Sequence, residues 1–175
     1  AVNLSRLDIN GKIKDNYGNI KVISNRFNLG DGIKVMEVKI PYAKDFSTIN
    51  SSFIAKYDGK IDNIDLNKLW VKGRIYSNKG AKSAIIVNNS DFELRNSHLR
   101  LPRINAKFGQ MPVLLEGRVT NIQNNPNLNL YVNAKPSQEF FDEFFNKKSV
   151  YPIKLKGDTN ITSRISGPLN NINSK

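Results

Sequence analysis

Apolar and polar residues trade places along most of this chain. In residues 153–167, IKLKGDTNITSRISG, the apolar Ile153, Leu155, Ile161 and Ile165 share one parity. Lys154, Lys156, Asp158, Asn160, Thr162 and Arg164 share the other. Side chains on a strand change face at every residue, so the pattern predicts strands with one apolar and one wet face. The chain opens mid-pattern, with Leu4, Leu7, Ile9 and Ile13 set against polar residues, as expected of an interior segment of something longer.

Further strands separated by Asn, Gly and Asp turns are predicted at a steady spacing. Residues 4–14 lead through the turn NYGN to IKVISNRF and the turn LGDG. Next comes GIKVMEVKIPY, whose parity changes between Val35 and Met36, consistent with a bulge or with an alternative register, and which ends at Pro41. YAKDFSTINS at 42–51 fits a helical turn or a loop. SFIAKYDGKI, LNKLWVKGRIYS, KSAIIVNNSDFEL, SHLRLPRINAKF, PVLLEGRVTNI and NLNLYVNAKP continue the series. The expected class is all-β.

One segment departs from this period. In SQEFFDEFFNKK at 137–148, Phe140, Phe141, Phe144 and Phe145 form a single stripe on a helix and scatter over both faces of a strand. Ser137 can cap the start, Glu139 lies in the first turn, and Lys147 and Lys148 suit the negative end of the helix dipole. A short helix packed over the end of a sheet is predicted. Its acidic polar face, with Glu139, Asp142 and Glu143, disfavours insertion at a membrane surface.

A weak repeat, INGKI, YDGKI, VKGRI, LEGRV and LKGDT, centres on Gly11, Gly59, Gly73, Gly117 and Gly157. Its irregular intervals exclude fixed-length rungs. Glycine in mid-strand weakens the strand, so each predicts a bulge, a bend or a close approach to the backbone.

Composition adds two constraints. The net charge of +12, from 27 Lys and Arg against 15 Asp and Glu, would attract nucleic acid, anionic lipid or an acidic partner alike. The cations are spread singly, without a recognition helix or aromatic binding module, so sequence-specific nucleic-acid binding is not expected. The lack of Cys removes disulfides and thiolate chemistry. No apolar run is long enough to span a membrane as a helix, and the first residues are not a signal peptide.

Catalysis finds little footing. His98, the single histidine, falls opposite Leu99 and Leu101 on a strand and reads as a solvated residue. Asp58, Asp62 and Asp65 lie beside turns and read as surface charge. Gly30 and Gly32 lack the GKS or GKT of a phosphate loop and read as a strand connection. Trp70 and Tyr76 share a parity against Leu69, Val71 and Ile75, as a second packed surface or an aromatic platform. No catalytic residue, metal ligand or cofactor is assigned. The apolar faces remain: closed against another layer they are a core, and left open they form a groove for acyl chains.

From residue 112 the sequence PVLLEGRVTNIQNNPNLNLYVNAKPSQEFFDEFFNKKSVYPIKLKGDTNITSRISGPLNN resembles the repeated unit of the AsmA-like and TamB superfamily of bacterial envelope proteins. The resemblance rests on a strand leading to GRV, the NLNLYVNAKPS strand, the Phe-rich helix and a closing strand ending in ISGPL. It covers about 112–172 and is diffuse before that. It implies an open, apolar-lined gutter formed by a curved antiparallel sheet. Such a gutter would be a non-enzymatic conduit for phospholipid, or an aid to outer-membrane protein assembly, with an outer-membrane barrel engaged through other parts of the protein. It also implies a periplasmic location within a protein anchored in the bacterial inner membrane. Leu115, Val119, Leu128, Leu130, Val132, Ile153, Leu155, Ile161 and Ile165 would face lipid, while Lys154, Lys156 and Arg164 face outward. The rival expectation is a closed β-sandwich acting as a structural or adhesin-like module, and a weaker one is an anionic-polymer binder.

Overall fold

A computed structural model describes residues 5–31, 47–78, 83–144, 147, 154–169 and 173–174. The strands are β1 (Arg6–Lys14), β2 (Tyr17–Asn28), β3 (Ile49–Lys60), β4 (Leu69–Ser77), β5 (Ile85–Val87) and β6 (Ser90–Arg95). They continue as β7 (His98–Phe108), β8 (Met111–Thr120) and β9 (Asn127–Ala134). After helix α1 (Gln138–Phe144) come β10 (Ile161–Pro168) and β11 (Asn173–Ser174). All described strands pair antiparallel in one sheet, in the order β1-β2-β3-β4-β6-β7-β8-β9-β10-β11 with β5 beside β7. Apart from β5, strands adjacent in the sheet follow one another in sequence, the simplest antiparallel order.

The local chemistry explains the turns. Asp15 and Asn16, both at positive φ, make a two-residue hairpin that joins Lys14 to Tyr17. Asn96 and Ser97 do the same between Arg95 and His98. Side chains that tolerate left-handed backbone favour such turns, whose twist matches the strands. The first turn therefore precedes the expected NYGN, and Tyr17 and Gly18 already belong to β2. Residues 29–31 are helical rather than a plain strand connection. GIKVMEVKIPY lies outside the described residues. KSAIIVNNSDFEL forms two strands, β5 and β6, both laid along β7. At the break, the Ser90 hydroxyl donates to the Asn88 carbonyl (2.6 Å) and accepts from the Asn105 N–H (3.1 Å).

The predicted helix is present as α1, with the Phe140 N–H donating to the Ser137 hydroxyl at 3.2 Å. Phe140 and Phe141 are buried, and Phe140 meets Phe108 edge-on at 6.0 Å. The helix thus packs at one end of the sheet. There Ile49, Val87 and Ile104 form a small core with Leu29, Ile75, Ile85, Leu101, Ala106 and Leu115 around them.

The curved gutter expected from the sequence does not form: the sheet is neither closed nor strongly curled. Closing a sheet demands that its edge strands meet with a fixed stagger. Here β1 and β11 lie at opposite ends of the strand order and each pairs on one side among the described residues. Among the described residues the buried apolar cluster is small and lies at one end of the strands, so little draws the remaining strands into a curl. No second sheet covers that face among the described residues either.

The expected anchoring in a bacterial inner membrane finds no support in the described residues. Helix α1, with 7 residues, rises about 10 Å, a third of the roughly 30 Å hydrocarbon core. No helix among the described residues is long and apolar enough to cross a membrane.

Candidate functional site

Strand pairing lines up the apolar parities of the whole sheet. Ile9 pairs with Val22, Val22 with Ala55, Ala55 with Val71 and Val71 with Leu94. Leu94 then pairs with Leu99, Leu99 with Val119, Val119 with Leu128 and Leu128 with Gly167. One transverse row thus crosses nine strands with no polar side chain. Eight inter-strand steps of about 4.8 Å carry it about 38 Å.

Among the described residues no second layer lies over this row. Ile9 is 66% exposed, while the central members are half-buried, flanked by their neighbours in the sheet. The accessible surface of the chain is 12492 Å². A compact monomer of 19.8 kDa would expose about 8,600 Å².

Of the nine residues proposed to face lipid, seven share this face. Leu115 and Val119 on β8 pair with Val132 and Leu128 on β9, and Leu130 pairs with Ile165 on β10. Ile161 joins them opposite Ala134. Leu115 differs from the rest in packing against the small core. Leu155 is not on a strand: it lies in the loop before β10, where its N–H donates to the Gln138 side chain at 2.7 Å. Ile153 lies outside the described residues. The parity that joined Ile153 and Leu155 to Ile161 therefore does not apply, since β10 begins only at Ile161. Lys154 and Lys156 are likewise off the strands.

Three of the mid-strand glycines on the apolar face share one cause, whereas at Gly59 an added Cβ would instead meet the Tyr57 side chain at 2.7 Å. A Cβ at Gly11, Gly73 or Gly117 would lie 2.4, 2.4 or 2.2 Å from a backbone oxygen of the neighbouring strand, that of Asn19, Ser52 or Asn129. Close approach of strand to strand is the local reason they require. Gly157 is different: it turns the loop at φ +68 with open space around it.

The opposite face is wet. Its adjacent row runs Asp8, Ile23, Ile54, Lys72, Glu93, Arg100, Arg118, Asn129 and Ser166. Trp70 and Tyr76 lie here, as their parity predicted, with the Trp70 indole N–H donating to Glu93 at 3.0 Å. His98 is exposed on this face. The Tyr17 phenol, hydrogen-bonded to Asp58, is raised above its ordinary value, with desolvation and the Asp58 charge adding to the effect.

Two features escaped the sequence. The first is a change of parity in β7. Leu99 and Leu101 face the apolar side, a register irregularity follows, and then Ile104 and Ala106 face it. Pro102 marks this point in LRLPRIN and was the available signal. The second is a buried amide ladder in which Asn28 donates to the Asn50 side chain (3.3 Å) and Asn50 to that of Asn78 (2.8 Å). Three separate Asn residues in a turn-rich sequence carry no sign of that meeting.

Among the described residues no group of three or more His, Cys, Asp and Glu could hold a metal ion. Comparison with models of known families, with characterised proteins and with solved structures gives no match.

Proposed function

We propose that this chain is a non-enzymatic lipid-handling module whose open apolar face binds phospholipid acyl chains, as in the AsmA-like and TamB proteins it resembles. The observation that carries the reading is the transverse row from Ile9 to Leu128, apolar throughout, with no second layer over it among the described residues. An acyl chain needs contact with aliphatic groups and no hydrogen bonds, and this row offers that over about 34 Å. A fully buried methylene gains about 0.8 kcal/mol. On an open face, where one side of the chain stays wet, roughly half of that is available per methylene. Binding would be additive along the chain and weak at any one point, which suits passage along a surface better than storage in a pocket.

The test is a photo-crosslinking amino acid at Val22, Ala55 or Val71, compared with Lys21, Lys56 or Lys72 on the same strands and opposite face. With vesicles of labelled phosphatidylcholine, the first set should capture lipid and the second far less. Equal capture from both faces, or none from either, would refute the reading. Crosslinks from the apolar set to a second copy of the chain, in place of lipid, would instead favour a structural module that closes by association.

A further inference from the structure

The wet face changes character halfway across the sheet. On β4 two cations face carboxylates of β6: Arg74 lies 2.9 Å from Asp91, and Lys72 stands opposite Glu93. The Lys56 ammonium on β3 sits 5.5 Å from the Trp70 ring centroid. Beyond Glu93, which is itself the register partner of Arg100 across β6 and β7, the balance fails. Arg100 on β7 stands directly opposite Arg118 on β8, and neither makes an ion pair among the described residues. Like charges placed opposite each other across a ladder are destabilising.

These two arginines line a groove of about 730 Å³ together with His98, Glu116, Tyr131 and Arg164. Its floor follows Leu101, Pro102 and Gly117, where β7 shifts register and Gly117 takes φ +139. Arg164 is held from the side: its Nε and Nη2 donate to Asn129 Oδ1 at 3.3 and 3.1 Å, and Asn129 is the register partner of Arg118. That uses two of the five donors of the guanidinium. Three guanidinium groups against the single Glu116 carboxylate leave an excess of two positive charges in the groove.

We propose that this groove is a binding site for a phosphate group, held between Arg100 and Arg118 with Arg164 at its side. Paired planar forks match phosphate oxygens bidentately, and a phosphate monoester dianion would balance the excess charge. The volume admits a phosphate with an organic substituent, against which the Tyr131 ring is placed. The group could come from a soluble phosphate ester or from a phospholipid headgroup. The site lies on the face opposite the apolar row and stands independently of the acyl-chain reading.

The test is titration of the 175-residue chain with inorganic phosphate and with glycerol phosphate at physiological ionic strength, followed by calorimetry or amide NMR shifts. Saturable binding is expected. It should weaken about tenfold or more in the Arg100→Gln, Arg118→Gln double variant, since both charge-assisted contacts are lost. A Lys12→Gln, Lys14→Gln double variant removes the same charge from β1, far from the groove, and should change binding less than about twofold because salt screens distant charges. An Arg100→Lys, Arg118→Lys variant keeps the charge and should still bind several-fold more weakly, which guards against misfolding of the Gln pair. A parallel arm uses vesicles of phosphatidylglycerol in phosphatidylcholine. Arginine-dependent binding to vesicles without binding of free phosphate would identify a headgroup, and arginine-dependent binding of the soluble ligands an ester. Absence of saturable binding in both arms, or equal loss in the β1 control, would overturn the proposal.

Discussion

Three glycines separate the two ways in which a side chain can be excluded from a backbone position. At Gly73 an added Cβ would lie 2.4 Å from the Ser52 carbonyl oxygen and 2.7 Å from Phe53 Cβ. At Gly157 the space is empty but φ is +68. Gly117 combines both, with φ +139 and the Asn129 oxygen at 2.2 Å. Left-handed backbone costs an L residue roughly 1–2 kcal/mol, and a stiffer unfolded chain returns about 0.4–1 kcal/mol on replacing Gly by Ala. Gly157→Ala should therefore lose about 1 kcal/mol or less. Gly73→Ala forces apart two strands whose backbone cannot yield cheaply, a packing cost of about 1–3 kcal/mol. Gly117→Ala meets both penalties and should lose about 3–5 kcal/mol. Urea unfolding of the three variants measures these losses directly, with the m-value checking that the transition stays comparable. The reasoning fails if Gly157→Ala is as damaging as Gly117→Ala, or if Gly73→Ala is neutral, because strand approach would then not be what selects glycine.

Asn50 is fully buried, and Asn50→Ala would strip partners from Asn28 and Asn78, so a loss of about 2 kcal/mol in urea unfolding is expected. Ile104, 5% exposed in the small core, should lose about 2–5 kcal/mol as Ile104→Ala. Val119→Glu, on the open row, should keep a cooperative thermal melt while lowering acyl-chain capture, because its carboxylate stays in reach of water. Tyr17 should titrate above 10 by ultraviolet absorption, and Asp58→Asn should move it back down. Because the folded state holds that proton more tightly, its contribution to stability is complete below pH 10 and disappears as pH rises through the folded value.

The sequence by itself determined which side chains share a strand face. Side-chain direction alternates with a fixed period, and so Leu128, Leu130 and Val132, or Trp70 and Tyr76, could be grouped without coordinates. It also determined the helix carrying Phe140 and Phe141, because their spacing with Phe144 and Phe145 suits only one backbone geometry. The same parity could not reveal where the period is interrupted. The register shift beyond Leu101 brings Ile104 onto the apolar face, and that between Ser24 and Phe27 precedes the pairing of Asn28 with Asn50. Nor could it show that β10 starts at Ile161, since whether residues 154–160 join a ladder depends on partners far along the chain. The choice between a curled trough and an open sheet was beyond it for a deeper reason. Inward and outward residues are the same in both, and curvature is decided by what meets across the apolar face, which here is one small core at the end of the strands. The arginine groove follows likewise from register, because only the pairing of β7 with β8 sets Arg100 against Arg118.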